Sequence, residues 1–232
     1  MLLGEILRLA SQRNPRKTAI ISGESKLSYA DYDDQANRFA NFLLKMDLHV
    51  GDRVASVLYN TPEYGITHFG NARAGSILVH ISPMYAAPAI AHILDRTRPR
   101  VIVADIGVAA KLDQIRDELG FVEHIIFVGD DFTETLNKHP TTDPQLNLDP
   151  NAPVAMTFTG GTTGEPKGAV VSHNARYVSA WTTALEHQIT GADIAGVVTP
   201  MFHAVSLMIW YQATVMAGCT SVMFRKWDAT DF

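Results

Sequence analysis

A segment of small hydroxyl residues, glycines and one lysine is the first feature of this sequence that could do chemistry. It lies in residues 156–168, MTFTGGTTGEPKG, directly after an apolar stretch. A glycine backbone can turn successive N–H groups towards one anion, and threonine hydroxyls add further donors. Lys167 adds a mobile positive charge that suits a polyphosphate. We therefore predict a phosphate loop here. Its residues are Thr159, Gly160, Gly161, Thr162, Thr163 and Gly164, followed by Lys167.

Two other interpretations of this loop fit the sequence less well. A Walker A loop needs Gly-Lys-Ser/Thr at the start of a helix. Here Glu165 and Pro166 separate Gly164 from Lys167, and a β-rich run follows. A plain hairpin turn with an incidental lysine would not require so many threonines within a few residues.

The elements that must position this loop alternate between β-rich runs and helical patterns. Such alternation predicts crossover units on a mostly parallel sheet, and hence an α/β fold. Residues 129–152 carry several Asp and Pro residues and are interpreted as a surface connection. The predicted strands are 18–23, 26–29, 51–59, 76–81, 100–105, 124–130, 153–159, 169–173, 193–200 and 219–224. The predicted helices are 2–13, 30–46, 62–75, 87–96, 111–120, 174–188 and 204–217.

Composition excludes several classes of function. The chain has 232 residues, of which 47% are hydrophobic, and a formal net charge of -5. No basic run suggests a nucleic-acid partner. A single cysteine, Cys219, excludes a disulfide within the chain and a cysteine-based zinc site. The nine histidines are scattered, so we predict no metal site built by the protein. A cytoplasmic location fits this composition.

The uncharged stretch from Ala204 to Phe224 is long enough to raise the question of a membrane span. Gly218 divides it, however, into a predicted buried helix and a predicted strand. The polar residues within it also weaken a span. We therefore expect no transmembrane segment.

The segment TFTGGTTGEPKGAVVSHNA, residues 157–175, resembles the phosphate-loop signature of the AMP-forming adenylate-forming enzymes. This superfamily includes acyl- and aryl-CoA synthetases, luciferases and peptide-synthetase adenylation domains. Gly160 departs from the signature because the family more often has Ser there; this removes a hydroxyl but keeps the N–H. The resemblance covers the whole chain. It also rests on LSYADYDDQANRFANFLL (27–44), on the block 51–94 and on TPMFHAVSL (199–207).

The resemblance implies a two-step reaction with ATP, Mg²⁺ and CoA. A small-molecule carboxylic acid attacks the α-phosphate of ATP to give an acyl-AMP, and CoA then takes the acyl group. The phosphate loop would hold the β- and γ-phosphates, and Lys167 would help to neutralise them. His203 would lie beside the substrate carboxylate, with Ala204 and Val205 bordering the acyl pocket. Amino-acid adenylation domains usually have Asp where His203 stands, which favours a fatty or aryl acid.

For His203, packing would be the simpler interpretation without the motif, but the motif favours a functional role. A lone histidine beside Phe202 is often a hydrogen-bonded core residue, and only the motif favours function here. The segment NTPEY, from residue 60, is interpreted as a helix cap. His173, Trp181 and Trp210 are interpreted as packing residues, and no function is assigned to His80.

The resemblance also implies layered αβαβα subdomains, as in the N-terminal domain of acyl-CoA synthetases. Residues 36–190 would form the first subdomain, and 1–35 with 191–232 part of a second. The family's C-terminal domain would lie beyond residue 232, so we expect this chain alone to be inactive. An incomplete second subdomain would expose apolar surface and favour self-association, including a homodimer. The alternatives are a non-catalytic nucleotide-binding module and an adenylating enzyme that loads a carrier protein.

Overall fold

Two β-sheets organise the chain. The computed structural model describes residues 1–159 and 167–226, which contain ten strands. They are β1 (Thr18–Ser22), β2 (Ser25–Ser28), β3 (Arg53–Val57), β4 (Ile77–His80), β5 (Val101–Ala104), β6 (His124–Phe127), β7 (Pro153–Thr159), β8 (Lys167–Ser172), β9 (Ile194–Val197) and β10 (Thr220–Met223). One sheet has the order β2-β1-β10-β9 and the other β6-β5-β3-β4-β7-β8. All neighbours run parallel except in the hairpins β1–β2 and β7–β8, which confirms the predicted mostly parallel α/β fold.

Helices connect most of these strands. They are α1 (Gly4–Arg13), α2 (Tyr29–Lys45), α3 (Pro62–Ala74), α4 (Ala87–Thr97), α5 (Ala109–Gln114), α6 (Asp130–Asn137), α7 (His173–Glu186) and α8 (Gln212–Ala217). The ends of α2 and α8 follow sequence signals. Ser28 Oγ accepts the Asp31 N–H at the start of α2, and Gly218, with φ of 81°, ends α8. A π-helical segment, Val205–Tyr211, runs directly into α8.

Part of the interpretation of residues 129–152 as a surface connection is wrong, because α6 lies within it. Gly129 takes a φ of 116° immediately before the helix, and the aspartates of the first turn suit the positive end of its dipole. Phe132 and Leu136 are one turn apart and both buried. The Phe132 ring stacks on Phe39 of α2 at 6.0 Å between centroids. The helix predicted for residues 111–120 also differs from the structure, because α5 ends at Gln114.

The central strands β3, β4 and β5 of the six-stranded sheet are buried on both faces. Alternate residues of a strand point to opposite faces. Val54 and Leu78 lie in a core cluster with residues of α1, α2 and α3, whereas Ala55 and Val79 lie in a second cluster with residues of α4 and α5. The first cluster also contains Ile20 of the four-stranded sheet. The division into subdomains at residues 36 and 190 therefore stays a prediction.

No helix among residues 1–159 and 167–226 has the length and apolarity that crossing a membrane requires. The stretch that raised this question contains instead the π-helical segment, α8 and β10. Gly218 divides the helix from the strand, as predicted.

Candidate functional site

The two ends of the phosphate loop lie at the carboxyl edge of the six-stranded sheet. Thr159 ends β7 and Lys167 begins β8, and the two residues pair across this antiparallel hairpin. Because β7 runs parallel to β4, the loop leaves the sheet where β3, β4 and β5 also end. Lys167 is exposed at this edge and begins a strand rather than a helix, as the argument against a Walker A loop expects. The remaining loop residues and the Thr159 side chain lie outside the described residues. These loop residues are Gly160, Gly161, Thr162, Thr163 and Gly164.

His203 lies in the turn between β9 and the π-helical segment. Its side chain is exposed, so the alternative of a buried core histidine does not apply. Its N–H donates to Pro200 O at 3.0 Å, and its carbonyl accepts from the Leu207 N–H at 3.3 Å. Extended π-helical turns are rare and are often found at functional sites. The backbone of His203 is therefore held on a defined turn, and its exposed imidazole is accessible to a ligand.

A pocket of about 250 Å³ lies beside this turn, between the exit of β9 and the π-helical segment. Val205 lines it, whereas Ala204 and His203 do not. Trp210 also lines it, with its side chain 43% exposed. The Trp210 ring lies 4.7 Å from that of His187. Residues 195–199, at the end of β9 and just after it, and the aromatic ring of Tyr211 also line the pocket. Trp181 and Trp210 are both partly exposed, and their interpretation as packing residues stays a prediction.

Asn60 joins the two regions, and sequence reasoning missed it. Its side chain donates to Val197 O at 3.2 Å and Thr199 O at 2.9 Å, and it accepts the Met201 N–H at 2.8 Å. The interpretation of the segment NTPEY as a helix cap is confirmed, since Thr61 is the cap residue of α3, although its side chain makes no hydrogen bond to the helix. A polar residue directly after a buried parallel strand was the available signal.

A second polar link lies at the same edge. Asp105 follows β5 and is fully buried. Its carboxylate accepts from the Gly107 N–H at 2.9 Å and lies 2.7 Å from the guanidinium of Arg225, which follows β10. The guanidinium also lies over the Tyr59 ring, 5.0 Å from its centroid. The loops after β3, β5 and β10 are therefore tied together.

Three buried histidines are held in the neutral form. His80 Nδ1 lies 2.8 Å from Tyr64 Oη, and burial lowers the pKa of His80 to about 3. His68, on α3, lies 2.8 Å from the side-chain nitrogen of Gln212. Burial, and then the neighbouring His80, lower the pKa of His68 well below its usual value. His173 is also buried, accepts the Leu3 N–H and has its pKa lowered by burial to about 4. All three side chains are buried in the fold, and we assign no function to them.

The part of the chain that the structure describes contains no cluster of three or more His, Cys, Asp or Glu side chains placed to hold a metal ion. We assign no Mg²⁺ ligand and derive no step through this ion.

The comparisons with known proteins agree on one family. The model of the AMP-binding enzyme family matches residues 7–232, and the chain belongs to this family. It is 32% identical to a crotonobetaine/carnitine–CoA ligase of Citrobacter koseri over 238 residues, covering 93% of the chain and 45% of that protein. It is 30% identical to the long-chain-fatty-acid–CoA ligase FadD13 of Mycobacterium tuberculosis, covering 98% of the chain and 46% of that protein.

Solved structures give the same result for the fold. The inhibitor-bound N-terminal domain of FACL13 from Mycobacterium tuberculosis matches 99% of the chain and 58% of its own length, with a TM-score of 0.94 and 28% identity. A fatty acyl CoA synthetase structure from the same organism matches with a TM-score of 0.90 and 27% identity, over 99% of the chain and 46% of its own length. The chain therefore has the fold of acyl-CoA synthetase N-terminal domains. It spans about 45% of the length of the curated relatives named above.

Proposed function

We propose that this chain supplies the phosphate loop and acid-binding segment of an AMP-forming carboxylic acid–CoA ligase. The observation that carries the proposal is the position of the loop's ends. Thr159 and Lys167 face each other at the carboxyl edge of a parallel sheet, which is where ligands bind in open α/β folds. Membership of the AMP-binding enzyme family and similarity to two kinds of CoA ligase support it.

In the first proposed step, an oxygen of a fatty or aryl carboxylate attacks the α-phosphorus of ATP. The new O–P bond replaces the bond to the bridging oxygen, and pyrophosphate leaves with that electron pair. Both reactants are anions, so the reaction needs positive charge and oriented donors around the departing pyrophosphate. Lys167 provides charge at the end of β7–β8, and the loop residues 159–164 provide donors. In the second step the CoA thiol attacks the acyl carbon, and AMP leaves.

The acid would bind next to the His203 turn. The exposed imidazole of His203 would contact the substrate carboxylate, and Ala204 and Val205 would border the acyl group. The adjacent pocket of about 250 Å³ suits an apolar group. Since an apolar cavity of about 150 Å³ holds a benzene molecule, this volume accommodates an aryl ring or a short alkyl chain.

The Lys167→Ala variant tests the proposal in the full-length protein that carries this chain. The assay is acid-dependent ATP–pyrophosphate exchange over a panel of fatty and aryl acids, followed by thioester formation with and without CoA. Removing Lys167 should lower the exchange rate about 100-fold, because one charged group at the developing charge is lost. The matched control is Lys45→Ala, which removes an exposed lysine at the end of α2.

Three outcomes would contradict the proposal or part of it. An undiminished rate of ATP–pyrophosphate exchange in Lys167→Ala would contradict the role assigned to the phosphate loop. Nucleotide binding without exchange for any acid would indicate a non-catalytic nucleotide-binding module. Exchange without CoA thioester formation would keep the adenylation step but replace CoA by another acceptor, such as a carrier protein.

A further inference from the structure

The side-chain amide of Asn60 makes three hydrogen bonds, all of them with one short segment of backbone. Asn60 follows β3, and only 4% of its surface is exposed. Its amide nitrogen donates to two carbonyls and its oxygen accepts one N–H, all within residues 197–201. These partners lie between 137 and 141 positions further along the chain. A single side chain therefore holds the exit of β9 against the carboxyl end of β3.

The bound segment leads directly to His203. Met201, whose N–H binds Asn60, has a fully buried side chain, so it cannot move without opening the core. Thr199 O accepts from Asn60 and also from Ser206 Oγ at 2.7 Å, which closes the turn from its other end. The exposed His203 lies between these two anchors. Its position relative to the six-stranded sheet is therefore set by the hydrogen bonds of Asn60.

Only an amide of this length satisfies all three partners. Aspartate could accept the N–H of Met201 but would place a carboxylate against the carbonyls of Val197 and Thr199. Alanine would leave the buried Met201 N–H without its partner, which is costly, and would remove one of the two donors to Val197 O and to Thr199 O. The amide also has no remaining donor for a substrate. Asn60 thus acts through the backbone and does not contact the reacting atoms.

We propose that Asn60 is the positioning residue that fixes His203 for recognition of the acid carboxylate, an inference that rests on the proposed ligase function. The loop that holds ATP is anchored separately, through β7 and β8. Loss of the Asn60 side chain should therefore weaken binding of the acid far more than binding of the nucleotide.

Asn71 offers a matched control at the other end of α3. It is fully buried, donates to Ser76 O at 2.8 Å and accepts from Ser76 Oγ at 2.7 Å. Asn60→Ala and Asn71→Ala each remove a buried, hydrogen-bonded amide, so both should lose stability. Only the former should alter the His203 turn.

The first measurement does not need activity. In the full-length protein, hydrogen exchange of the backbone amides in residues 198–203 should become about tenfold faster in Asn60→Ala, because one side-chain anchor is lost. The amide of Met201 should change most, and Asn71→Ala should leave this segment unchanged. Equal exchange in the two variants would overturn the anchoring.

The second measurement is the steady-state exchange reaction of the proposed ligase. Asn60→Ala should raise KM for the acid about tenfold with KM for ATP close to the wild-type value, whereas Asn71→Ala should change neither by much. Asn60→Ser, which keeps one hydroxyl partner, should give an intermediate KM and serves where Asn60→Ala does not fold. Parallel increases of both KM values in the Asn60 variants would overturn the positioning role. A wild-type protein without exchange would refute the proposed function and with it this role, while the hydrogen-exchange result would still decide the anchoring.

Discussion

Mild acid should destabilise this protein, because three histidines are buried in the neutral form. Burial lowers the pKa of His80 to about 3 and of His173 to about 4, and it lowers the pKa of His68 well below its usual value. His80 faces Tyr64 and Ser56, and its ring lies 5.8 Å from that of His68. Because no described carboxylate is hydrogen-bonded to these two rings, none would stabilise their protonated forms.

The direction and size of the effect follow from proton linkage. In the unfolded chain a histidine binds a proton below a pKa of about 6.5, whereas these buried rings stay neutral until pH 3 to 4. Stability is therefore full above pH 6.5 and is lost progressively as the pH falls towards the folded-state values. Between pH 7 and pH 5 the neutral burial of His80 and of His173 each costs about 2 kcal/mol, about 4 kcal/mol together, and His68 adds to this loss. That is a large part of the 5–15 kcal/mol, roughly, by which domains are stable.

Urea unfolding between pH 7.5 and pH 4.5 measures this loss. The free energy of unfolding should fall by at least about 4 kcal/mol from pH 7 to pH 5, and His80→Gln should reduce the fall by about 2 kcal/mol. His49→Gln is the control, since it removes a histidine whose side chain is 76% exposed. A free energy that stays level from pH 7 to pH 5 would refute the reasoning, as would a His80→Gln variant that responds to acid like the wild type.

Two substitutions test the packing of α3. A Cβ atom at Gly65 would overlap the hydroxyl of Tyr32 and the hydroxyl of Tyr211, which are hydrogen-bonded to each other. Gly65→Ala should therefore lower the free energy of unfolding by about 1–3 kcal/mol. The control Gly120→Ala, where a Cβ meets nothing within 4 Å, should change it by under about 0.5 kcal/mol; equal effects would contradict the clash. Arg73→Met should lower the free energy of unfolding, measured by thermal unfolding, by about 3 kcal/mol, because it leaves Asp33 without its ion-pair partner. Arg73→Lys should recover part of this loss. An Arg73→Met variant as stable as the wild type would show that the pair adds nothing to stability.

Local signals in the sequence were sufficient for most of the fold. Such signals are Ser28 before α2, Pro62 at the start of α3, and the glycines Gly75 and Gly218 after α3 and α8, and each acts over only a few residues. The helix α6 was missed because Asp and Pro residues dominated the interpretation of its region. The sequence signal for this helix spans only a few residues and consists mainly of two apolar residues one turn apart, Phe132 and Leu136. Packing against α2 then stabilises a helix that its own sequence indicates only weakly.

The site was predicted less completely, for a physical reason. The phosphate loop is a contiguous motif, so its position between β7 and β8 could be inferred from its own residues. Asn60 lies in the block 51–94 that resembles the family, but nothing in that block assigns it a role, and its hydrogen-bond partners lie more than 130 positions away. Spacing along the chain carries no information about such a contact. Only the fold brings the end of β3 next to the exit of β9.

This contact explains how two distant segments could serve one reaction. The strands β3, β4, β5 and β7 run parallel, so their carboxyl ends meet at one edge, and the phosphate loop begins there. The His203 turn belongs to the other sheet and needs a separate connection to this edge. Asn60 provides one through β9, and the pair of Arg225 with Asp105 provides another through β10. In the proposed ligase, the distance between acid and nucleotide would therefore depend on buried polar contacts between the sheets rather than on either motif alone.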